Sequence, residues 1–188
     1  MNRTKWIAIL LLVVVFGLAI LLINGVGLVE NNQGYAPDQP IAFSHKIHAG
    51  ENQINCLYCH YSAEQGRHAG LPAVSVCMNC HSNIKKESPD VQKVKAAMDK
   101  NEVLEWVRVH RLADFVYFNH QQHVVSGQVS CQTCHGQVEQ MSKLKQQNNM
   151  TMGWCIDCHR ASDVKLHESL EIKKVSEVGG TDCAKCHY

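Results

Sequence analysis

All ten cysteines of this 188-residue chain, and five of its twelve histidines, fall into one repeated pattern. The copies are Cys56-Leu57-Tyr58-Cys59-His60, Cys77-Met78-Asn79-Cys80-His81, Cys131-Gln132-Thr133-Cys134-His135, Cys155-Ile156-Asp157-Cys158-His159 and Cys183-Ala184-Lys185-Cys186-His187. C-x-x-C-H is the attachment signature of c-type haem. Two residues between the cysteines place both sulfurs against the two vinyl groups of one porphyrin, and the adjacent histidine swings beneath the ring to bind iron. The expectation is five covalent haem c groups with His60, His81, His135, His159 and His187 as proximal ligands. Zinc ribbons need their C-x-x-C pairs in twos and need no histidine after every second cysteine. A disulfide framework explains an even cysteine count in an exported protein but leaves the five histidines unexplained. Iron–sulfur ligation prefers closer four-cysteine runs.

Low-spin electron-transfer haems need a sixth ligand, usually histidine or methionine. Outside the motifs stand His45, His48, His68, His110, His120, His123 and His167. A lone histidine is more often a hydrogen-bonded or surface residue, but two pairs are spaced alike. Phe43-Ser44-His45-Lys46-Ile47-His48 heads the first two motifs and Phe118-Asn119-His120-Gln121-Gln122-His123 heads the last three. At i and i+3 on a helical turn, two imidazoles diverge enough to reach two adjacent haems. His45, His48, His120 and His123 are therefore the leading distal ligands. The fifth is open among His68, His110 and His167, with Met150 or Met152 as thioether alternatives that would raise that haem's potential. The plainer reading of Met152 is packing beside Trp154, since thioethers commonly fill gaps.

The elements that must hold these groups are few. Trp6 to Ile23 is an unbroken apolar or small stretch behind Arg3 and Lys5, close to the length that spans a bilayer. A cleaved signal peptide competes, but no A-x-A-like site follows. The expected order is a transmembrane anchor at 1–29, a polar linker at 30–40, a dihaem module at 41–87, a connecting helix within 88–105 and a trihaem module at 106–188. Ser88 as N-cap and Pro89 at the first helical position, with Val91, Val94 and Met98 at helical spacing, support that helix through about Lys100. Aromatics make up only 6% of the chain, and the 45% apolar fraction is inflated by the N-terminal run. The fold class expected is a mostly irregular, small α-helical multihaem cytochrome with a haem-filled core and little or no sheet. A formal net charge of +1 gives no reason to expect nucleic acid as a partner.

The string Trp106-Val107-Arg108-Val109-His110-Arg111-Leu112-Ala113-Asp114-Phe115-Val116-Tyr117-Phe118-Asn119-His120, with Arg67-His68-Ala69-Gly70-Leu71-Pro72 before the second motif, resembles the pentahaem cytochrome subunit of alternative complex III. The resemblance runs from anchor to last motif. It implies an electron-carrier subunit that is not itself an enzyme. Quinol oxidation would lie with iron–sulfur and polytopic membrane subunits, and a monohaem cytochrome c or a terminal oxidase would be the acceptor. It implies a single-pass protein of the bacterial inner membrane, with the haem domain on the periplasmic side. The paired-histidine segments also resemble class III multihaem cytochromes, where the first histidine serves the nearest following motif and the second a later one. By position, that assigns His45 to Cys56/Cys59, His120 to Cys131/Cys134, His48 to Cys77/Cys80 and His123 to Cys155/Cys158.

Two other functions compete. A multihaem reductase needs one haem with an open position, yet candidate ligands exceed demand and no motif replaces its histidine with lysine. An anchored quinol dehydrogenase places a haem against the membrane, whereas Cys56 lies well beyond Ile23. The mechanism expected is outer-sphere hopping between close haems whose potentials are tuned by ligand, burial and nearby charge.

Overall fold

The computed structural model describes residues 3–25, 32–164 and 171–187, with His167 outside the described residues. Two units form, 1–31 and 32–188. In the first, helix α1 spans Arg3–Gly25. Its window Arg3–Leu22 has a mean hydropathy of 2.8 and no buried residue. A helix of this length extends about 34 Å, against roughly 30 Å of bilayer hydrocarbon. Apolar on every side and covered on none, it fits a single-pass membrane anchor.

The second unit is built from short pieces: a π-helical turn at Lys46–Glu51, α2 (Cys56–Cys59), a 3₁₀ turn at Tyr61–Glu64, α3 (Val74–His81) and α4 (Pro89–Lys100). A second π-helical turn at Gln122–Ser126 follows, then α5 (Cys131–His135), a 3₁₀ turn at Val138–Gln140 and α6 (Met152–Ala161). The strands β1 (Asp163–Val164) and β2 (Lys173–Lys174) pair antiparallel, Asp163 opposite Lys174 and Val164 opposite Lys173. A 3₁₀ turn at Val175–Val178 and α7 (Cys183–Cys186) close the unit. Little sheet and many brief helices match the fold class expected.

Local chemistry sets these pieces. α2, α5 and α7 each begin at the first cysteine of a motif, preceded by Asn55, Ser130 or Asp182 in an extended conformation. These are residue types that favour the N-cap. Asn55 accepts a hydrogen bond from the Leu57 N–H at 2.8 Å, and Thr151 does the same for Trp154 at the head of α6. In α4 Pro89 occupies the first turn, and Asn101 ends the helix in the left-handed region at φ 56. The buried side of α4 carries Val91, Val94 and Ala97, while Met98 is 40% exposed. α4 packs against α3.

Conventional core is thin. The buried apolar side chains among the described residues are Ile41, Ala63, Val91, Val94, Ala97 and Val109. The one side chain among the described residues with no exposed surface is polar, Gln146. Its backbone exchanges hydrogen bonds with residues 34 and 35, Gly34 N–H to Gln146 O at 2.7 Å and Gln146 N–H to Tyr35 O at 3.1 Å. Its amide oxygen accepts from Arg111 N–H and its amide nitrogen donates to Asn148 O, both at 2.9 Å. Residues 32–40 are thus fastened to the unit. Gln39 adds a two-way bond to the Val107 backbone, and Asp38 an ion pair with Lys143.

A buried group stripped of its partners costs about 1–3 kcal/mol. Gln146→Leu is expected to lower the denaturant midpoint of the loaded protein by a corresponding amount. An unchanged midpoint would show that this amide is not what fastens 34–35 to 111.

A histidine-paired haem-binding site

The two paired-histidine segments fold alike. Phe43 meets His45 edge-on at 4.9 Å and stacks on His48 at 4.4 Å. Phe118 meets His120 edge-on at 4.8 Å and stacks on His123 at 4.4 Å. One aromatic ring therefore holds two imidazoles at a fixed divergence. The π-helical turn that follows is wider than an α turn, and such turns recur at functional sites.

The diverging rings meet rings from the motifs. His48 faces His81 at 6.0 Å between ring centres, His120 faces His135 at 6.4 Å and His123 faces His159 at 6.0 Å. Gaps of this size take one metal centre bonded at about 2 Å to a nitrogen of each ring. His45 is half-buried near His60 and its pKa is pushed down to about 4, by burial first and by His60, His48 and His110 next. His135 is pushed down to about 3, mainly by burial and then by His110. His123 is lowered by burial and His159. Ligands must be unprotonated, so burial leaves these rings ready to bind at neutral pH.

Which nitrogen is free is settled by the other one. His60 Nδ1 bonds Gly70 O at 2.8 Å, His81 Nδ1 bonds Ile84 O at 2.9 Å and His187 Nδ1 bonds Phe115 O at 3.2 Å. His159 Nδ1 bonds Gly180 O. Among the distal candidates, His48 Nδ1 bonds Ser44 O at 2.8 Å, His120 Nδ1 bonds Arg67 O at 2.7 Å and His123 Nδ1 bonds Asn119 O at 2.8 Å. A carbonyl only accepts, so each of these Nδ1 atoms carries hydrogen and each Nε2 keeps its lone pair. His45 Nδ1 differs, being buried without a hydrogen-bond partner among the described residues.

Two of the acceptors depend on glycine. Gly70 sits at φ +72, and a Cβ there would lie 3.2 Å from Ser62 Oγ. A Cβ on Gly180 would lie 2.6 Å from Val175 O. A side chain at either position would displace the carbonyl that orients a motif histidine.

The thiols map how the motifs adjoin. Burial raises Cys59, with Cys77 the next cause. Burial raises Cys131, which also hydrogen-bonds Cys56. Cys134 is pushed up to about 11 by burial and then by Cys158 and Cys155, and Cys155 is raised by burial and by Cys186. The second motif thus adjoins the first, the first the third, the third the fourth and the fourth the fifth.

The remaining candidates are placed differently. His110 Nε2 lies 3.1 Å from His135 Nδ1. His68 is exposed, beside Arg67, whose guanidinium sits 4.8 Å over the Tyr117 ring. Met150 lies at φ 50, and Met152 opens α6 with 68% of its surface exposed. The carbonyl partners of the histidines were beyond sequence reasoning, since any residue can supply one. The only available signal was glycine at Gly70 and Gly180.

The donor set fits haem rather than a bare ion. Among the described residues no three or more His, Cys, Asp or Glu side chains converge on a metal-sized point, whereas the imidazoles face one another in twos. When two ring planes are parallel, the iron dπ levels split and the low-spin ferric signal is rhombic. Crossed planes leave those levels nearly equal and the signal strongly anisotropic. The His120/His135 planes lie 5° apart and the His48/His81 planes 61° apart. Low-temperature EPR of the oxidised, loaded protein is therefore expected to contain both kinds of signal. His120→Ala should remove a rhombic one and His48→Ala the anisotropic one, and the reverse result would refute these pairings.

Residues 27–113 match the class III cytochrome C family, and residues 116–188 match the family of cytochrome c7 and related cytochrome c. Over 99 residues, 52% of this chain, the sequence is 34% identical to the multiheme cytochrome c subunit of menaquinone reductase from Nitratidesulfovibrio vulgaris (strain Hildenborough). That match spans 46% of the relative's length. Both families attach haem c covalently through motifs of the kind repeated here. With paired imidazoles at those motifs and a cytochrome family on either side of residue 115, the chain is a multihaem cytochrome c, similar in its two parts to class III and c7 cytochromes.

Proposed function

We propose that this chain is the membrane-anchored electron-transfer subunit of a quinone-linked respiratory complex of the alternative complex III type, with no substrate site of its own. Five covalent haem c groups, one per motif, supply its one-electron chemistry when bound. The observation that supports the reading is that each attachment site adjoins another. The first and second sites share the turn bearing His45 and His48, and the third and fourth share the turn bearing His120 and His123. Cys131 against Cys56 joins third to first. Lys46 N–H on Met141 O at 2.9 Å brings the stretch after the third motif onto the first turn. His159 on Gly180 and Cys155 beside Cys186 join fourth to fifth.

In this reading His60, His81, His135, His159 and His187 are proximal ligands, and His45, His48, His120 and His123 are distal ligands. The fifth distal ligand is open among His68, His110 and His167, with Met150 or Met152 as thioether alternatives. The chain's own contribution is to fix eight of these nine rings by an Nδ1 hydrogen bond, to lower the pKa of His45, His123 and His135 by burial, and to hold the sites close together. This succession of adjoining sites has two ends, at Cys77/Cys80 and at Cys183/Cys186. Partners dock there: iron–sulfur and polytopic quinone-reacting subunits at one end, a monohaem cytochrome c or terminal oxidase at the other. Arg3 and Lys5 keep the start of α1 in the cytoplasm, leaving the haem domain on the periplasmic side of the bacterial inner membrane.

A second reading is favoured by the relative, whose name places it in a menaquinone reductase. There the complex would carry electrons toward quinone instead of away from it. Assays of the intact membrane complex separate the two: quinol-dependent reduction of a cytochrome c supports the first, and quinone reduction by a reduced cytochrome supports the second. For the chain itself, the test is pyridine haemochrome quantification and low-temperature EPR of the full-length protein, with cyanide and nitric oxide added. Five low-spin haems inert to both ligands are expected. A high-spin haem that binds either one would make the chain a multihaem reductase.

A further inference from the structure

We infer that His110 is a positioning residue for the third attachment site: it takes the hydrogen of His135 Nδ1 and thereby fixes that ring's plane and basicity without itself binding iron. The inference rests on the haem-binding reading above but concerns a residue whose role that reading leaves open.

Every other motif histidine gives its Nδ1 hydrogen to a backbone carbonyl, on Gly70, Ile84, Gly180 or Phe115. His135 gives it to a side chain, the Nε2 of His110 at 3.1 Å. The two rings stand nearly perpendicular, 85° with centres 4.4 Å apart. His135 also faces His120 at 6.4 Å with the planes 5° apart. With Nε2 of His135 turned to the haem site, its Nδ1 must carry the hydrogen. His110 Nε2 must then be the acceptor, with its own hydrogen on Nδ1. A histidine whose Nε2 is engaged in this way has no such nitrogen left for iron.

The backbone around His110 is fastened well enough to aim the ring. Val109 is buried, and its carbonyl accepts from Asn32 Nδ2 at 3.3 Å. Arg108 Nε donates to the His110 carbonyl at 3.1 Å, and Arg111 N–H is held by the buried Gln146 at 2.9 Å. A carbonyl oxygen accepts over a broad range of directions, whereas an imidazole nitrogen offers one in-plane lone pair. His110 therefore constrains the rotation of His135 more narrowly than the carbonyls constrain the other four. An acceptor on Nδ1–H raises the basicity of a ligating imidazole and tunes the metal it binds. A more basic ligand favours the ferric state, so the third site is held at a lower potential than it would have without this partner.

The test uses full-length loaded protein carrying His110→Leu or His110→Gln, with haem quantification, potentiometric titration and low-temperature EPR. The Leu chain is expected to keep five low-spin haems. One midpoint should move upward and the rhombic signal of the parallel pair should broaden or shift. The Gln chain, whose amide oxygen accepts a hydrogen bond, is expected to restore both toward the native values. A high-spin haem in the Leu chain makes His110 an iron ligand and overturns the inference, as does a Leu chain with all potentials and signals unchanged. Should the Leu chain fail to mature, the Gln chain decides. Five low-spin haems with a near-native rhombic signal support the assignment, and a high-spin haem overturns it. Failure of the underlying reading shows separately, as a native chain that lacks five haems or binds cyanide.

Discussion

The structure turns on one small interaction, the hydrogen bond from an imidazole Nδ1–H. Among the described residues, eight histidines have Nδ1 bonded, seven of them to backbone carbonyls and one to another histidine. Such a bond decides the tautomer, points Nε2 at the metal site and sets the ring plane. The short helices, glycine turns and π-helical turns all serve to bring a carbonyl to the right nitrogen. This explains how a domain with so little apolar core is nevertheless specific: its order is written in directed polar contacts.

Three of those acceptors, on His110, Phe115 and Asn119, come from one extended segment, 102–119, which carries no helix or strand. It touches Phe43 through Trp106, the 32–40 segment through Val107, the third motif through His110 and the fifth through Phe115 and Tyr117. Its far end delivers His120, whose ring and backbone both bond Arg67 O. A regular helix of the same length would put neighbouring side chains on one rod and could not reach four separate sites. Extended backbone, with polar groups bonded to side chains such as Gln39 and Gln146, can.

Much of this was legible in the sequence. The motifs declare their chemistry because C-x-x-C-H leaves little else for ten cysteines to do, and α4 follows from Ser88-Pro89 and the spacing of Val91 and Val94. The paired segments could be recognised as repeats because Phe43 and Phe118 precede histidines at the same offsets. The ring-on-ring geometry that makes the offset matter was hidden, however. The spatial order of the sites was also illegible, since Cys56 and Cys131 meet across 75 residues of chain. Residues 30–40 look like a spacer by composition, because their glycine, prolines and amides are typical of linkers. From Asn32 onward those same amides bond the backbone of the domain. His110 could not be told from a ligand by type, only by which of its atoms meets which neighbour.

In each facing pair the histidine from the Phe-headed turn comes first along the chain: His48 before His81, His120 before His135, His123 before His159. A polypeptide emerging N-terminus first presents each waiting imidazole before the motif it will face. Under the proposed ligand assignment, maturation of these three sites can proceed in the order of synthesis, each newly attached group finding its second partner already present. On that assignment, the time a half-ligated iron would stay exposed is confined to the interval in which one short segment folds.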